Sequence, residues 1–130
     1  PLLDRIDLVV DVPRQPTETL LSAPSAESSA MVRARVDAAR DRQRERATTN
    51  GTAATNAELR SEHLRAHGML TDDARALLLR AAEKLHLSAR ATIRCIRVSR
   101  TIADLAGSDP ITAAHVSEAL QYRAKLAAAG

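Results

Sequence analysis

Four arginines step along the stretch LSARATIRCIRVSR (residues 87–100): Arg90, Arg94, Arg97 and Arg100, at intervals of four, three and three. On a helix those intervals place side chains on one face. A row of guanidiniums can grip phosphate or a nucleic-acid backbone, and it can equally be a solvated face. For Arg94, Arg97 and Arg100 the solvated reading is the simpler one. Arg90 differs by position. It follows Ser88, a good N-cap, by two residues. There the unpaired backbone N–H groups and the helix dipole already attract anions. A cation at that end is unfavourable unless something negative arrives. Arg5 is a second candidate. It stands between Asp4 and Asp7 in PLLDRID (1–7), just ahead of an apolar run. It is either part of a charged turn or an arginine placed to meet a phosphate.

Other chemistries find less support. His63 and His67 are four apart and could share a metal on one helix face. A third ligand in pattern is lacking, so no metal site is assigned. There is no GxxxxGK[ST], no GxGxxG, no CxxC and no HExxH. The four glycines are too scattered to build a phosphate-cradling loop. No nucleophile–base pattern is visible either, so the 130 residues do not read as an autonomous enzyme.

The elements that must carry these arginines are mostly helical. Apolar residues make up 45% of the chain and aromatics 1%, the single Tyr122. Such a core is built from Ala, Leu, Ile and Val, and Ala and Leu are strong helix formers. Net charge is +3, and arginine supplies every basic side chain except Lys84 and Lys125. Cys95 has no partner for an internal disulfide and reads as a small buried hydrophobe. No signal peptide is visible, and no apolar run approaches the ~18 residues of a membrane helix. The expected setting is cytoplasmic and reducing, away from membranes. A chain beginning at Pro1 reads as a piece of a longer one.

Residues 6–12, IDLVVDV, alternate with the period of a strand, and no second strand follows. The run therefore pairs with something outside this chain or frays. Residues 13–30 are rich in Pro, Ser, Thr and Ala and read as a linker. MVRARVDAARDRQRERA (31–47) is a mixed-charge helix whose thin apolar stripe is Val32, Val36, Ala39 and Gln43; it is expected to project from the domain. Residues 48–56 read as a flexible loop. Four helices follow between 56 and 126. The first carries Leu59 and Leu64 and stops at Gly68. The second starts at the cap Thr71 and buries Ala74, Leu77, Leu78, Ala81, Ala82 and Leu85. The third starts at Ser88, buries Ala91, Cys95, Val98, Ile102 and Leu105, and ends at Gly107. The last starts at Thr112, with Ile111 and Val116 placed as a hydrophobic staple.

Three stretches together carry a resemblance: PLLDRIDLVVDVPR, then LSARATIRCIRVSRTIADLAG, then ITAAHVSEALQYR. In this order they resemble the C-terminal part of the magnesium-chelatase-like AAA+ ATPases of the ComM/YifB family. Residues 15–30 and 47–55 match least. The resemblance implies an all-α fold, a small helical bundle of the AAA+ lid type, with a disordered or frayed N-terminal segment. Residues 1–14 would be the end of the ATPase core, 15–30 a flexible linker, and 31–130 the helical lid with a loop at 47–56. The P-loop core would lie upstream in the same chain. By motif, Arg5 resembles the arginine finger that reaches a neighbouring subunit's nucleotide. Ser88-Ala89-Arg90 resembles sensor 2, with Ser88 as the helix cap, acting in cis or in trans. The implied cofactors, ATP and Mg2+, belong to the parent and not to this piece. The implied partners are the upstream core, neighbouring subunits of a ring (a hexamer in the family) and DNA. The ComM branch is associated with DNA branch migration and the sister branch with Mg2+ insertion into porphyrins; the Tyr122-Arg123 ending fits the former. A nucleic-acid-binding helical module is the alternative, with Arg94, Arg97, Arg100 and the helix at 31–47 as its contacts.

Overall fold

A computed structural model describes residues 2–23, 26–66 and 69–129. Six α-helices follow one another: α1 (Thr17–Leu21), α2 (Ser29–Asn50), α3 (Ser61–Ala66), α4 (Asp72–Lys84), α5 (Ala89–Leu105) and α6 (Ala113–Ala129). Short 3-10 turns precede α1 at Leu3–Arg5 and α3 at Asn56–Glu58. The all-α expectation holds. Among the described residues the sole β feature is an isolated parallel bridge between Leu70 and Ile111. It closes with Ile111 N–H donating to the Met69 carbonyl at 2.6 Å and Thr71 N–H to the Ile111 carbonyl at 3.1 Å.

α5 is the central helix. α6 and α2 both pack on it, and α4 packs on α6. Its innermost row is Ala91, Cys95, Ser99 and Ala103, spaced by four, all at most 1% exposed. Small side chains in one row let neighbouring helices approach closely. Val98, Ile102, Ile93 and Ile96 widen the face and stay half-buried, while Leu105, expected inside, is exposed. The core gathers Leu59, Leu64, Met69, Leu78, Ile111 and Val116 around this row. Ile111 and Val116 are both fully buried, as a staple across the α6 start requires.

Local chemistry sets the helix ends. The Ser28, Thr71 and Ser88 hydroxyls accept from the backbone N–H three residues on. At α6 the cap works the other way round: the His115 ring accepts from Thr112 N–H at 3.1 Å. The His63 ring does the same for Arg60 N–H at the start of α3, at 3.3 Å. α4 ends with His86 at φ 50. Leu87 N–H reaches back to the Ala82 carbonyl at 2.9 Å, the hydrogen bond of a Schellman motif with a histidine where glycine is usual. α5 ends in the same motif with Gly107 at φ 71.

Three expectations change. α2 runs to Asn50 because Gly51, at φ 63, supplies the left-handed stop, so the helix takes in the first residues of the expected loop at 47–56. α2 also does not project along its whole length. Residues 29–38 are exposed, but Ala39 and Gln43 are buried against the bundle. The stretch 13–30 contains one exposed helical turn, α1. His67 and Gly68, one of the histidine pair and the expected stop of α3, lie outside the described residues. Residues 6–16 carry neither helix nor strand.

Candidate functional site

The arginine row does not act as one face. Arg100 is 1% exposed. Its guanidinium donates to the Ser108 carbonyl at 2.6 Å, to the Asp109 carbonyl, and from Nε to Asp104 at 3.1 Å. Burial pushes its pKa down, and the Asp104 carboxylate opposes that. Arg100 is therefore withdrawn as a solvent-facing contact. It belongs to a buried polar knot. Asp104, on α5, also takes Arg46 of α2 and accepts from Asn56 Nδ2 at 2.8 Å. Asn56 in turn accepts from Arg46 at 3.2 Å and donates to Thr101 at 3.1 Å. This knot fastens the arginine-rich helix to the bundle. The i,i+4 spacing of Arg100 and Asp104 was its sequence signal.

Arg97 is also occupied. Its Nε and Nη2 donate to the Leu59 carbonyl at 2.8 and 2.5 Å, clamping the turn before α3. Arg94 pairs with Asp7 of the N-terminal segment. Its Nε is buried without a hydrogen-bond partner. Arg90 is exposed in the first turn of α5, just beyond the Ser88 hydroxyl that caps Ala91 N–H at 3.1 Å. Arg90, Arg94 and Arg97 line a shallow groove of about 560 Å³, together with Arg60, Ser61, Glu62 and Ile93. Arg60 gave no signal in the sequence, because the turn after Leu59 brings it there. Four guanidiniums against Glu62 and Asp7 leave the groove cationic, beside a helix N-terminus. Such a place suits a phosphate-sized anion.

Arg5 ends its 3-10 turn with an exposed side chain. The two flanking aspartates face the helical bundle. Asp4 accepts from the Ser88 hydroxyl at 3.4 Å and lies 3.9 Å from Arg123. Arg123 donates to the Ile6 carbonyl at 3.2 Å. The Val9 N–H donates to the Tyr122 carbonyl at 3.4 Å. The turn carrying Arg5 is thus tied at the start of α5, the same end that carries Arg90. Ile6, Leu8, Val10 and Val12, the apolar row of the strand-like run, are 36–86% exposed.

A larger cleft, about 960 Å³, lies at the other end of α5 and is lined by Arg42, Arg46, Arg100 and Asp109 with Asp41 and Glu45. Arg100 is ten residues from Arg90, about 15 Å along the helix. The cleft has mixed charge and does not join the groove residues. Among the described residues no group of three or more His, Cys, Asp or Glu side chains could hold a metal ion. None of the helices is long and apolar enough to cross a membrane.

Comparison with known proteins agrees with the resemblance. The family model for the C-terminal domain of magnesium chelatase, subunit ChlI, matches residues 26–123. The chain is 42% identical over 125 residues to the competence protein ComM of Haemophilus influenzae. It is 41% identical over 125 residues to the YifB protein of Escherichia coli. An uncharacterized protein of Mycobacterium tuberculosis is 37% identical over 123 residues. Each match covers 95% of this chain and 24% of the relative, so the chain spans about a quarter of their length.

Proposed function

Since the chain belongs to the family of magnesium chelatase subunit ChlI C-terminal domains, we propose that it is the helical lid of an AAA+ ATPase and senses nucleotide through the start of α5. Arg90 is the sensor 2 residue, and Arg5 is the finger offered to a neighbouring subunit of the ring. One observation carries the reading: Arg90 stands exposed at a capped helix N-terminus, inside a groove with three further arginines, and the turn bearing Arg5 is tied to that same helix end. Phosphoryl transfer spreads charge over the transferring oxygens, and a positioned guanidinium stabilises it. A finger supplied in trans is worth ~10³–10⁵ in rate. ATP and Mg2+ would be held mainly by the P-loop core of the full-length protein. The exposed row Ile6, Leu8, Val10 and Val12 fits a strand that completes that core's sheet. For the whole protein we favour the ComM-like role, DNA branch migration by a ring motor, over Mg2+ insertion; the identity to a relative named as a competence protein supports it.

The test is ATP turnover by the full-length protein. Arg90→Ala and Arg5→Ala should each abolish turnover while circular dichroism shows an unchanged helical content. Unchanged turnover in both variants sinks the reading. A nucleic-acid-binding role for the isolated lid is a weaker second reading. It rests on the free first half of α2, which bears Arg33 and Arg35, though Arg35 is already paired with Glu27. Salt-dependent DNA binding by the isolated chain would support it.

A further inference from the structure

We infer that Asp7 and Arg94 are positioning residues for Arg5. The inference rests on the reading of Arg5 as a finger and adds what holds that finger in place. The lid grips the N-terminal segment at Asp4, Ile6, Asp7 and Val9, on both sides of Arg5. Three of these ties are hydrogen bonds of 3.2–3.4 Å, two of them with backbone carbonyls as acceptors. The fourth, Asp7 to Arg94, is a direct ion pair whose arginine side chain is only 17% exposed. A pair on that side is screened less than one in open solvent. The Arg94 Nε is buried without a hydrogen-bond partner, and its Nη1 donates to Asp7.

The pair also connects two arginines of different duty. Arg94 lies one turn after Arg90 on the same face of α5. Asp7 lies two residues after Arg5. The path Arg5, Asp7, Arg94, Arg90 makes the helix that senses one nucleotide the anchor of the finger aimed at the next. A small rotation of α5 would move the turn bearing Arg5, and misplacing a charge-stabilising group by about 1 Å can cost ~10²-fold in rate. Neither Asp7 nor Arg94 needs to touch nucleotide for this.

The experiment uses the full-length protein, with kcat and KM for ATP measured for Asp7→Asn, Arg94→Gln, their double variant, the exchanged pair Asp7→Arg with Arg94→Asp, and Asp7→Glu. Each single neutralisation should lower kcat by about ten- to hundredfold with KM within about twofold. The double variant should be no worse than the worse single, because both break one link. The exchanged pair and Asp7→Glu should recover much of the rate. Wild-type kcat in Asp7→Asn overturns the inference, and so does a rise in KM with kcat unchanged, which would make the pair part of nucleotide binding. If Arg94→Gln loses helix content, Asp7→Asn still decides, since Asp7 is half exposed. Arg5→Ala separates the two claims. Wild-type turnover in Arg5→Ala overturns finger and positioning together. Lost turnover there, with wild-type kcat in Asp7→Asn, overturns the positioning alone.

Discussion

Replacing Asp104 with alanine should be among the most damaging changes in the bundle. The side chain is 0% exposed and is shared by Arg46, Arg100 and Asn56. Those arginine side chains are 17% and 2% exposed, so Arg100 above all is held away from water. Removing one partner of a buried pair costs ~3–5 kcal/mol, because a charge is left uncompensated. Arg100 retains its two carbonyl acceptors in the turn after α5, and Asn56 retains Thr101, which holds the loss near the lower end of that range. Against a total stability of ~5–15 kcal/mol, even ~3 kcal/mol is a large share. The assay is urea unfolding followed by circular dichroism. Asp109→Ala serves as the control: that side chain is 98% exposed, pairs with Arg42 at 3.2 Å, and should cost under ~1 kcal/mol. A loss below ~1 kcal/mol for Asp104→Ala, at an unchanged denaturant slope, is the contrary result. It would mean that the knot is not what fastens α2 to α5.

Smaller effects follow from the helix ends and the thiol. Ser88→Ala removes the hydroxyl at the start of α5 and should cost ~1 kcal/mol, with Ser88→Thr, which keeps a hydroxyl that can both cap and donate to Asp4, restoring most of it; thermal melts check this. His86→Gly should stabilise by up to ~1 kcal/mol because φ 50 suits glycine, and Gly107→Ala should destabilise by a similar amount at φ 71. An opposite sign for either would show that side-chain contacts outweigh backbone freedom. Burial pushes the Cys95 thiol up to about 11, so at pH 8 it should resist thiol reagents in the folded chain and react fast once urea unfolds it. Prompt labelling of the native chain would contradict the packing around α5.

Much of the bundle was legible because its signals are local. Caps at Thr71 and Ser88, the stop at Gly107 and the staple of Ile111 with Val116 are each readable within a few residues. Arg90 was legible for the same reason, since its distinction is distance from a cap. What the sequence could not show is set by contacts far apart in the chain. Arg100 looked like its neighbours in the row, yet the 108–109 turn and Asp104 bury it. Leu105 fits the helical period but borders an open hollow against α2, with Val36 and Ala39, and stays 44% exposed. Arg60 enters the groove, and Asp4 and Asp7 find Arg123, Ser88 and Arg94, only through partners 30 to 119 residues away. The N-terminal run has the alternation of a strand, but with no strand beside it among the described residues it stays without regular structure, its apolar row outward.

The proposed role of Arg5, acting across a subunit boundary in nucleotide turnover, is decided by mixing two kinds of inactive subunit. If the proposal holds, full-length Arg5→Ala subunits keep the nucleotide-binding core and lack the finger, and subunits with that core's P-loop lysine replaced keep the finger and cannot turn over ATP. Each preparation alone should be inactive, and the mixture should recover turnover as fingers from one kind reach nucleotides held by the other. An inactive mixture that still assembles, or full activity of Arg5→Ala alone, would rule out a finger at Arg5.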